Sequence, residues 1–481
     1  MVRGTISFGF RVRVTFALAV VSVTCARVGA QQTTPRRDPD AFVNQQRAVD
    51  ERIQRQFDAQ RGEDWGTSFD WGGWYSLHFF SFDDGVESSR TLRRHDLRLW
   101  GRYSLDRGAH SFYVRARLSL LDFNAGDSFD ANEDDIDGPN LERGVYRFDL
   151  GKWRRAFGED PLRFNLAVSA GRDLVEFGTG VTLAAPLDHV SLTATYKDFK
   201  VTALAGKTVG SGQDFDLSRT ARRLRRSFLG GQLEYTGMEK HRPFVYVLWQ
   251  RDRNREHRFQ PFRRFGYDSF YLGLGSTGEW VEGLHYESEF VYEGGHSHNS
   301  RAILRRNNIQ AWAVRTELEY LYPGKHKART SLEYLFASGD ADRRNSPTDT
   351  IGGNRGDFHD NSFIAFGYLD TGLVLAPRYS NLHMWRAGAS FYPLPDDDRF
   401  SRLEAGSDWY LFYKHHEAGA ISDRTGSVGA GYVGWEMDYH LNWKVTSDLA
   451  WTTRMGVFFP GQAFADRTTR TFLLVGMTWS F

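Results

Sequence analysis

Guanidinium groups recur at even intervals in neighbouring stretches of this chain: Arg98 and Arg102 in one, Arg115 and Arg117 in the next, Arg147 in a third. Carboxylates follow the same habit further on, at Glu287, Glu289, Glu317, Glu333, Glu436 and Asp438. His285, Glu293, Arg315, Glu319, His440, Lys444 and Arg454 fall in step with them. In extended backbone, residues two apart share a face. Rows of one sign on such faces break no bonds; they attract, order and sort ions.

Bond-breaking chemistry finds little support. A nucleophile or an activated water needs a base that is itself oriented by a third group. His296, His298, His415 and His416 are candidate bases, but no GxSxG elbow accompanies them, so a barrel protease or lipase is the least favoured reading and no enzyme is expected. His296 and His298 in GHSHN are solvated loop histidines more often than metal ligands. The acidic run from Glu133 to Gly138 resembles a calcium loop, yet Gly144 stands where the bidentate Glu should be. No metal or cofactor is expected. Nucleic-acid binding rests on loop arginines alone and is not expected either.

The elements that must hold these rows are strands. From Leu97 to Leu105 the alternation is clean: Leu97, Leu99, Gly101, Tyr103 and Leu105 on one face, Asp96, Arg98, Trp100 and Arg102 on the other. Phe112, Val114, Ala116, Leu118 and Leu120 repeat it against Arg115 and Arg117, after a short DRG turn at Asp106 to Gly108. Comparable segments recur to residue 481 and make about eighteen, the even number that bacterial membrane barrels require. Short turns such as Lys197–Asp198 alternate with long loops such as 209–226, as periplasmic turns alternate with extracellular loops. The last segment carries Leu473, Val475, Met477, Trp479 and Phe481 on one face and ends on an aromatic, the form expected of a strand that barrel-assembly machinery reads.

Composition agrees. Aromatic residues make up 15% of the chain, the mean hydropathy is −0.51 and the formal net charge is +1, which suits a sheet with one apolar and one wet face. Arg3, Arg11 and Arg13 before the apolar run Val14–Val23 form a signal peptide, with cleavage expected after Ala30. The single Cys25 leaves with it, so a disulfide scaffold or thiol enzyme is excluded. The expected division is a signal peptide over 1–30, a helical periplasmic leader over 31–65 and an all-β transmembrane antiparallel barrel over 66–481.

Apolar faces toward lipid put the charged faces inside, since an Arg or Lys at mid-depth on the lipid face costs roughly 2–4 kcal/mol. An arginine ladder on the early wall then faces carboxylates on the middle and late walls, and the field across the lumen selects solutes by charge. The alternative, charges pairing to fill a closed lumen, would prevail only in a smaller barrel. Arg251, Arg253, Arg255, Arg258, Arg263 and Arg264 form an extracellular basic loop that either concentrates anionic solutes or binds lipopolysaccharide phosphates.

Three stretches resemble the alginate-export family: FYLGLGSTGEWVEGLHYESEFVYEGG from Phe270 to Gly295, SLEYLFASGD from Ser331 to Asp340, and GWEMDYHLNWKVTSDLAWTTRMGVFFPG from Gly434 to Gly461. The GRD at Gly171–Asp173 resembles that family's GR-containing segment, with Asp where Gln is expected. The resemblance implies a monomeric eighteen-stranded outer-membrane barrel passing an anionic polysaccharide, and it adds Arg172 to Glu436 and Asp438 as candidate pore residues. The many carboxylates, and a loop from Asp340 to Asn381 long enough to fold inward, separate this chain from the alginate pattern. Uptake of small nutrients through a general porin is the alternative.

Overall fold

The structure, a computed structural model, describes residues 67–85, 90–124, 134–160, 162–210, 225–253, 266–298, 306–344, 346–348 and 359–481. The signal peptide expected over 1–30, the leader helix expected over 31–65 and the loop residues Arg255, Arg258, Arg263 and Arg264 lie outside the described residues. Among the described residues no helix is long and apolar enough to cross a membrane.

The wall is built from β1 (Ser68–Asp83), β2 (Arg90–Leu105), β3 (His110–Phe123), β4 (Asp135–Asp149), β5 (Phe164–Phe177), β6 (Leu183–Tyr196), β7 (Phe199–Thr208), β8 (Arg226–Tyr235) and β9 (His241–Asp252). It continues through β10 (Asp268–Val281), β11 (Leu284–His298), β12 (Arg306–Leu321), β13 (Arg329–Ala337), β15 (Leu382–Phe391), β16 (Leu403–Tyr413), β17 (Tyr432–Lys444), β18 (Leu449–Pro460) and β19 (Arg470–Ser480). Each pairs antiparallel with the next, and β1 closes on β19 from Trp74 opposite Ser480 to Asp83 opposite Thr471. The two-residue β14 (His359–Asp360) adds in parallel to the upper end of β12 and stands outside the ring, because β13 pairs directly with β15. The ring therefore has eighteen strands and closes, each strand pairing with a neighbour on both sides.

Alternation decides which face meets lipid. On β16, Trp409 and Leu411 are 51% and 37% exposed, while Tyr410 and Phe412 between them are 3% and 0%. Phe164, Tyr196, Phe199 and Tyr235 lie side by side in register on the outward face at the short-turn end, and Trp249 opposes Phe270 nearer the other end. Two aromatic belts bounding an apolar band are the outer surface of a membrane barrel. The DRG turn forms as expected, with positive φ at Asp106, Arg107 and Gly108 and Ala109 N–H donating to Asp106 O at 3.1 Å.

Two departures from the sequence reading concern β4 and β5. They are joined by a short helix, α1 (Leu150–Ala156), capped by the Asp149 carboxylate accepting from Lys152 N–H at 2.9 Å, with Arg154 and Arg155 in its last turn. β5 also runs past the GRD stretch to Phe177, because Gly171 takes a φ of +133° that lets the strand bend without stopping.

A third departure is larger. The inward faces were expected to be wet throughout, yet Leu204, Phe244, Tyr246, Leu248, Tyr271, Val291, Ile309, Leu335 and Phe412 are all buried in one apolar cluster. They are covered by a segment from β14 to Asn381 that folds inside the ring and contributes Phe363, Ile364, Leu369, Val374, Leu375 and Tyr379. Burying each such side chain contributes roughly 1.5–3 kcal/mol relative to exposure, enough in sum to hold the segment in place.

Candidate functional site

The early wall carries the cations. Arg94, Arg98 and Arg102 on β2, Arg115 and Arg117 on β3, and Arg143 and Arg147 on β4 face inward by register. Between β3 and β4 the register slips, so that Arg115 opposes Arg143 while Ala116 opposes Leu141. This bulge turns Glu142 inward beside Arg143. Its carboxylate lies 3.1 Å from Arg98 Nε, 2.8 Å from Arg115 Nε and 3.6 Å from Arg117 Nη1, with all three guanidiniums at most 10% exposed. Arg117 also pairs with Asp137 at 2.7 Å, Arg94 with Asp96 at 2.9 Å, and Arg143 and Arg147 both with Asp173. Trp74 lies beneath Arg98 and Arg115, 5.8 and 5.5 Å from ring centroid to guanidinium carbon. Six of these arginines thus share four carboxylates, while Arg102 stands opposite Asp70 on β1, and the wall keeps a positive surplus.

The middle and late walls invert this. Arg315 on β12 is gripped by Glu287 and Glu333 at 2.6 Å each and by Glu317. Arg386 on β15 pairs with Glu333 and Asp408 at 3.0 Å each, and Arg329 pairs with Glu404 at 3.1 Å. Carboxylates outnumber their partners here. The expected rows of opposite sign therefore exist only as net surpluses, because every wall also carries its own counter-ions.

The inserted segment joins three of these walls. Its root is the buried ion pair of Arg343 with Asp360, which also accepts from Ser297 Oγ. Ile364 N–H donates to Glu293 on β11 at 2.8 Å, and Tyr271 OH to Ile364 O at 2.6 Å. Phe366 N–H donates to Thr182 O and Tyr379 OH to Val181 O, in the β5–β6 connection. On β17, Glu436 accepts from Val374 N–H at 2.6 Å and Leu375 N–H at 2.9 Å, and Asp438 from Leu373 N–H at 2.9 Å. A segment touching β5–β6, β11 and β17 of a closed ring can only cross its interior. The β5–β6 connection is drawn inward too, Thr179 N–H and Oγ1 both donating to Glu289 at 2.6 Å. Among the described residues β3 and β4 add nothing to the apolar cluster.

The expected pore residues thus divide. Arg98, Arg115 and Arg117 form the cluster around Glu142; Arg102 and Arg147 extend it toward the short-turn end; Glu287, Arg315, Glu317 and Glu333 form the second network. Arg454 faces inward opposite Leu474, and Lys444 sits exposed at the last position of β17. Glu289, Glu436 and Asp438 point inward but are buried as acceptors for backbone of the β5–β6 connection and the inserted segment. Arg172 is corrected outright. It opposes Asp188, which shares a face with the exposed Val190, and both project from the outer surface. Arg251 also lies outward near the end of β9, with Arg253 just beyond it. Alternation alone could not find Glu142, which a bulge redirects. The loss of alternation in Ala311–Val314 and Tyr410–Phe412, apolar on both faces, was the visible sign that something covers those strands inside.

At the extracellular end His415 holds both flanks of the insertion, its Nδ1 accepting from Gly339 N–H at 3.1 Å just after β13 and its own backbone N–H donating to Asn381 O at 3.3 Å. Burial, and then the neighbouring His416 and His383, lower its pKa to about 4. Burial likewise lowers Lys414 to about 8, its Nζ donating to Val428 O at 2.8 Å.

A family model described as Alginate export matches residues 181–476. Among solved structures the chain is similar to OccK5 (OpdH) and OccK11 (OpdR) of Pseudomonas aeruginosa, each at 11% identity and a TM-score of 0.52. The alignments cover 86% and 88% of this chain and 98% of each of those. OccK2 (OpdF) of the same organism is similar at 12% identity and a TM-score of 0.51, with 86% and 98% covered. At such identity the likeness is one of fold. A comparison with curated proteins found no match.

Proposed function

The chain belongs to the alginate-export family of outer-membrane channels, and from that premise we propose that it passes an anionic solute of the polysaccharide class along the arginine wall. The observation that carries the reading is the cluster of Arg98, Arg115 and Arg117 around the single carboxylate of Glu142, on inward faces whose strands β3 and β4 add nothing to the apolar cluster under the inserted segment. Guanidiniums match carboxylates in shape and charge, and a row of them lets an anion pass from one to the next without a deep trap. Glu142 balances part of the charge, which keeps the row from holding its cargo too tightly.

The inserted segment favours a second reading. Fastened on β11, β5–β6 and β17, it narrows the passage, and a narrow passage suits small anionic nutrients moving inward as well as a polymer moving out. Planar-bilayer recordings separate the two. Block of ion current by polyuronate, relieved in Arg115→Glu, supports polymer passage. Free permeation of small sugar acids with no polymer block supports uptake, and cation preference in the unmodified protein refutes both.

A further inference from the structure

The barrel wall splits on its outer face. β4 and β5 pair only from Gly144 opposite Arg172 down to Asp149 opposite Ala167, whereas β5 and β6 stay paired up to Phe177 opposite Leu183. At the split Gly144 and Gly171 present no side chain, and a Cβ on Gly171 would lie 2.1 Å from Gly144 O. A groove of about 430 Å³ results, lined by Leu141, Gly144, Gly171, Arg172, Asp188 and Val190.

Register fixes its orientation. Asp188 shares the face of β6 that carries Val190 and Leu192, 55% and 43% exposed, and β6 pairs with both neighbours without a bulge. Arg172 Nε donates to Asp188 Oδ1 at 2.7 Å, and its Nη1 donates to Leu141 O at 2.8 Å, the carbonyl next to the broken ladder. Lys207 on β7 opposes Asp188 and is exposed, and the same row runs through Ser227 to Arg251 on β9. Within this row three cations stand against one carboxylate, with the exposed Glu176 four residues above Arg172, and the face below the row is apolar.

Depth says what could meet that charge. Arg172, Asp188 and Lys207 each stand eight residues from the aromatic belt at Phe164, Tyr196 and Phe199. For strands tilted by about 40° this is about 20 Å along the membrane normal, near the outer edge of an apolar band about 25 Å tall. We propose that the groove binds a phosphorylated, acylated glycolipid of the outer leaflet. Its phosphate faces Lys207 and Arg251, two strands apart in the same row, and an acyl chain lies over Leu141 and Val190 beside Arg172. Asp188 holds Arg172 in place, and the missing side chain of Gly144, which shares the outer face, makes room for the chain.

The test uses the full-length protein purified from outer membranes in mild detergent, with retained lipid quantified by mass spectrometry. Lys207→Glu combined with Arg251→Glu should lower retained lipid A by about tenfold, as expected for two charge contacts at a wet rim. Heat modifiability and single-channel conductance should stay at the unmodified values, which separates lost binding from lost folding. Reconstitution into nanodiscs containing lipid A should then raise the melting temperature of the unmodified protein alone. Equal retention by variant and unmodified protein overturns the proposal. So does equal stabilisation by phosphatidylglycerol, or by inorganic phosphate without a lipid.

Discussion

Replacing Glu142 by Gln keeps the size of the side chain and one acceptor oxygen but removes one negative charge from among Arg98, Arg115 and Arg117. An anion passing this wall would come within about 6 Å of that charge. Coulomb's law puts the repulsion removed at about 0.7 kcal/mol in bulk water and about 2.8 kcal/mol at an effective dielectric constant of about 20. A wet passage lies toward the lower value, so the anion-to-cation permeability ratio should rise about three- to tenfold. The assay is the reversal potential under a salt gradient in planar bilayers, repeated at high ionic strength, where screening should shrink the difference. The same variant should bind polyuronate longer, with longer current blocks, since a competing carboxylate has gone. An unmoved reversal potential would mean that solutes do not pass this wall, and a shift toward cations would refute the electrostatic reasoning.

Glu436→Gln with Asp438→Asn weakens the three hydrogen bonds that hold Leu373, Val374 and Leu375, by roughly 1 kcal/mol each. Conductance should become larger and noisier, and proteolysis near Gly372 faster, while the barrel stays heat-modifiable. Arg315→Met leaves Glu287, Glu317 and Glu333 facing one another, and should destabilise the barrel by about 3–5 kcal/mol in urea unfolding. His415 binds its proton less readily when folded, near pH 4, than its ordinary 6.5. Its contribution is therefore complete above about pH 6.5 and is lost as pH falls toward 4, about 1 kcal/mol once its partial exposure is allowed for. Protection of the Gly339 N–H, taken relative to the intrinsic exchange rate at each pH, should fall over that window and should not change with pH in His415→Phe.

Period-two patterning exposed the barrel because membrane strands face two solvents, so Leu97 and Arg98 are sorted by a rule that local sequence obeys. It placed Arg98, Arg102, Arg115, Arg117 and Arg147 inside for the same reason. The rule failed where a third environment intervenes. Tyr246, Ile309 and Phe412 meet neither lipid nor water but the inserted segment, a contact set by residues more than fifty positions away in the chain for Ile309. Arg172 was misplaced because its assignment came from resemblance and not from its own strand, where Val168, Ala170 and Arg172 share a face. Glu142 was invisible because a bulge shifts the period by one. Register slips and long-range covering are properties of pairing, and pairing is not written in any single strand.

The inserted segment has a mechanical consequence. A ring of eighteen strands joined only edge to edge can flatten under lateral pressure, since each seam bends easily about its own axis. A tie from the Asp360 root to Glu436, stopping at the β5–β6 connection on the way, fixes the diameter in that direction. It also orders assembly: β17 follows the tie in the chain, so the last anchor can be fastened only when most of the hoop already stands.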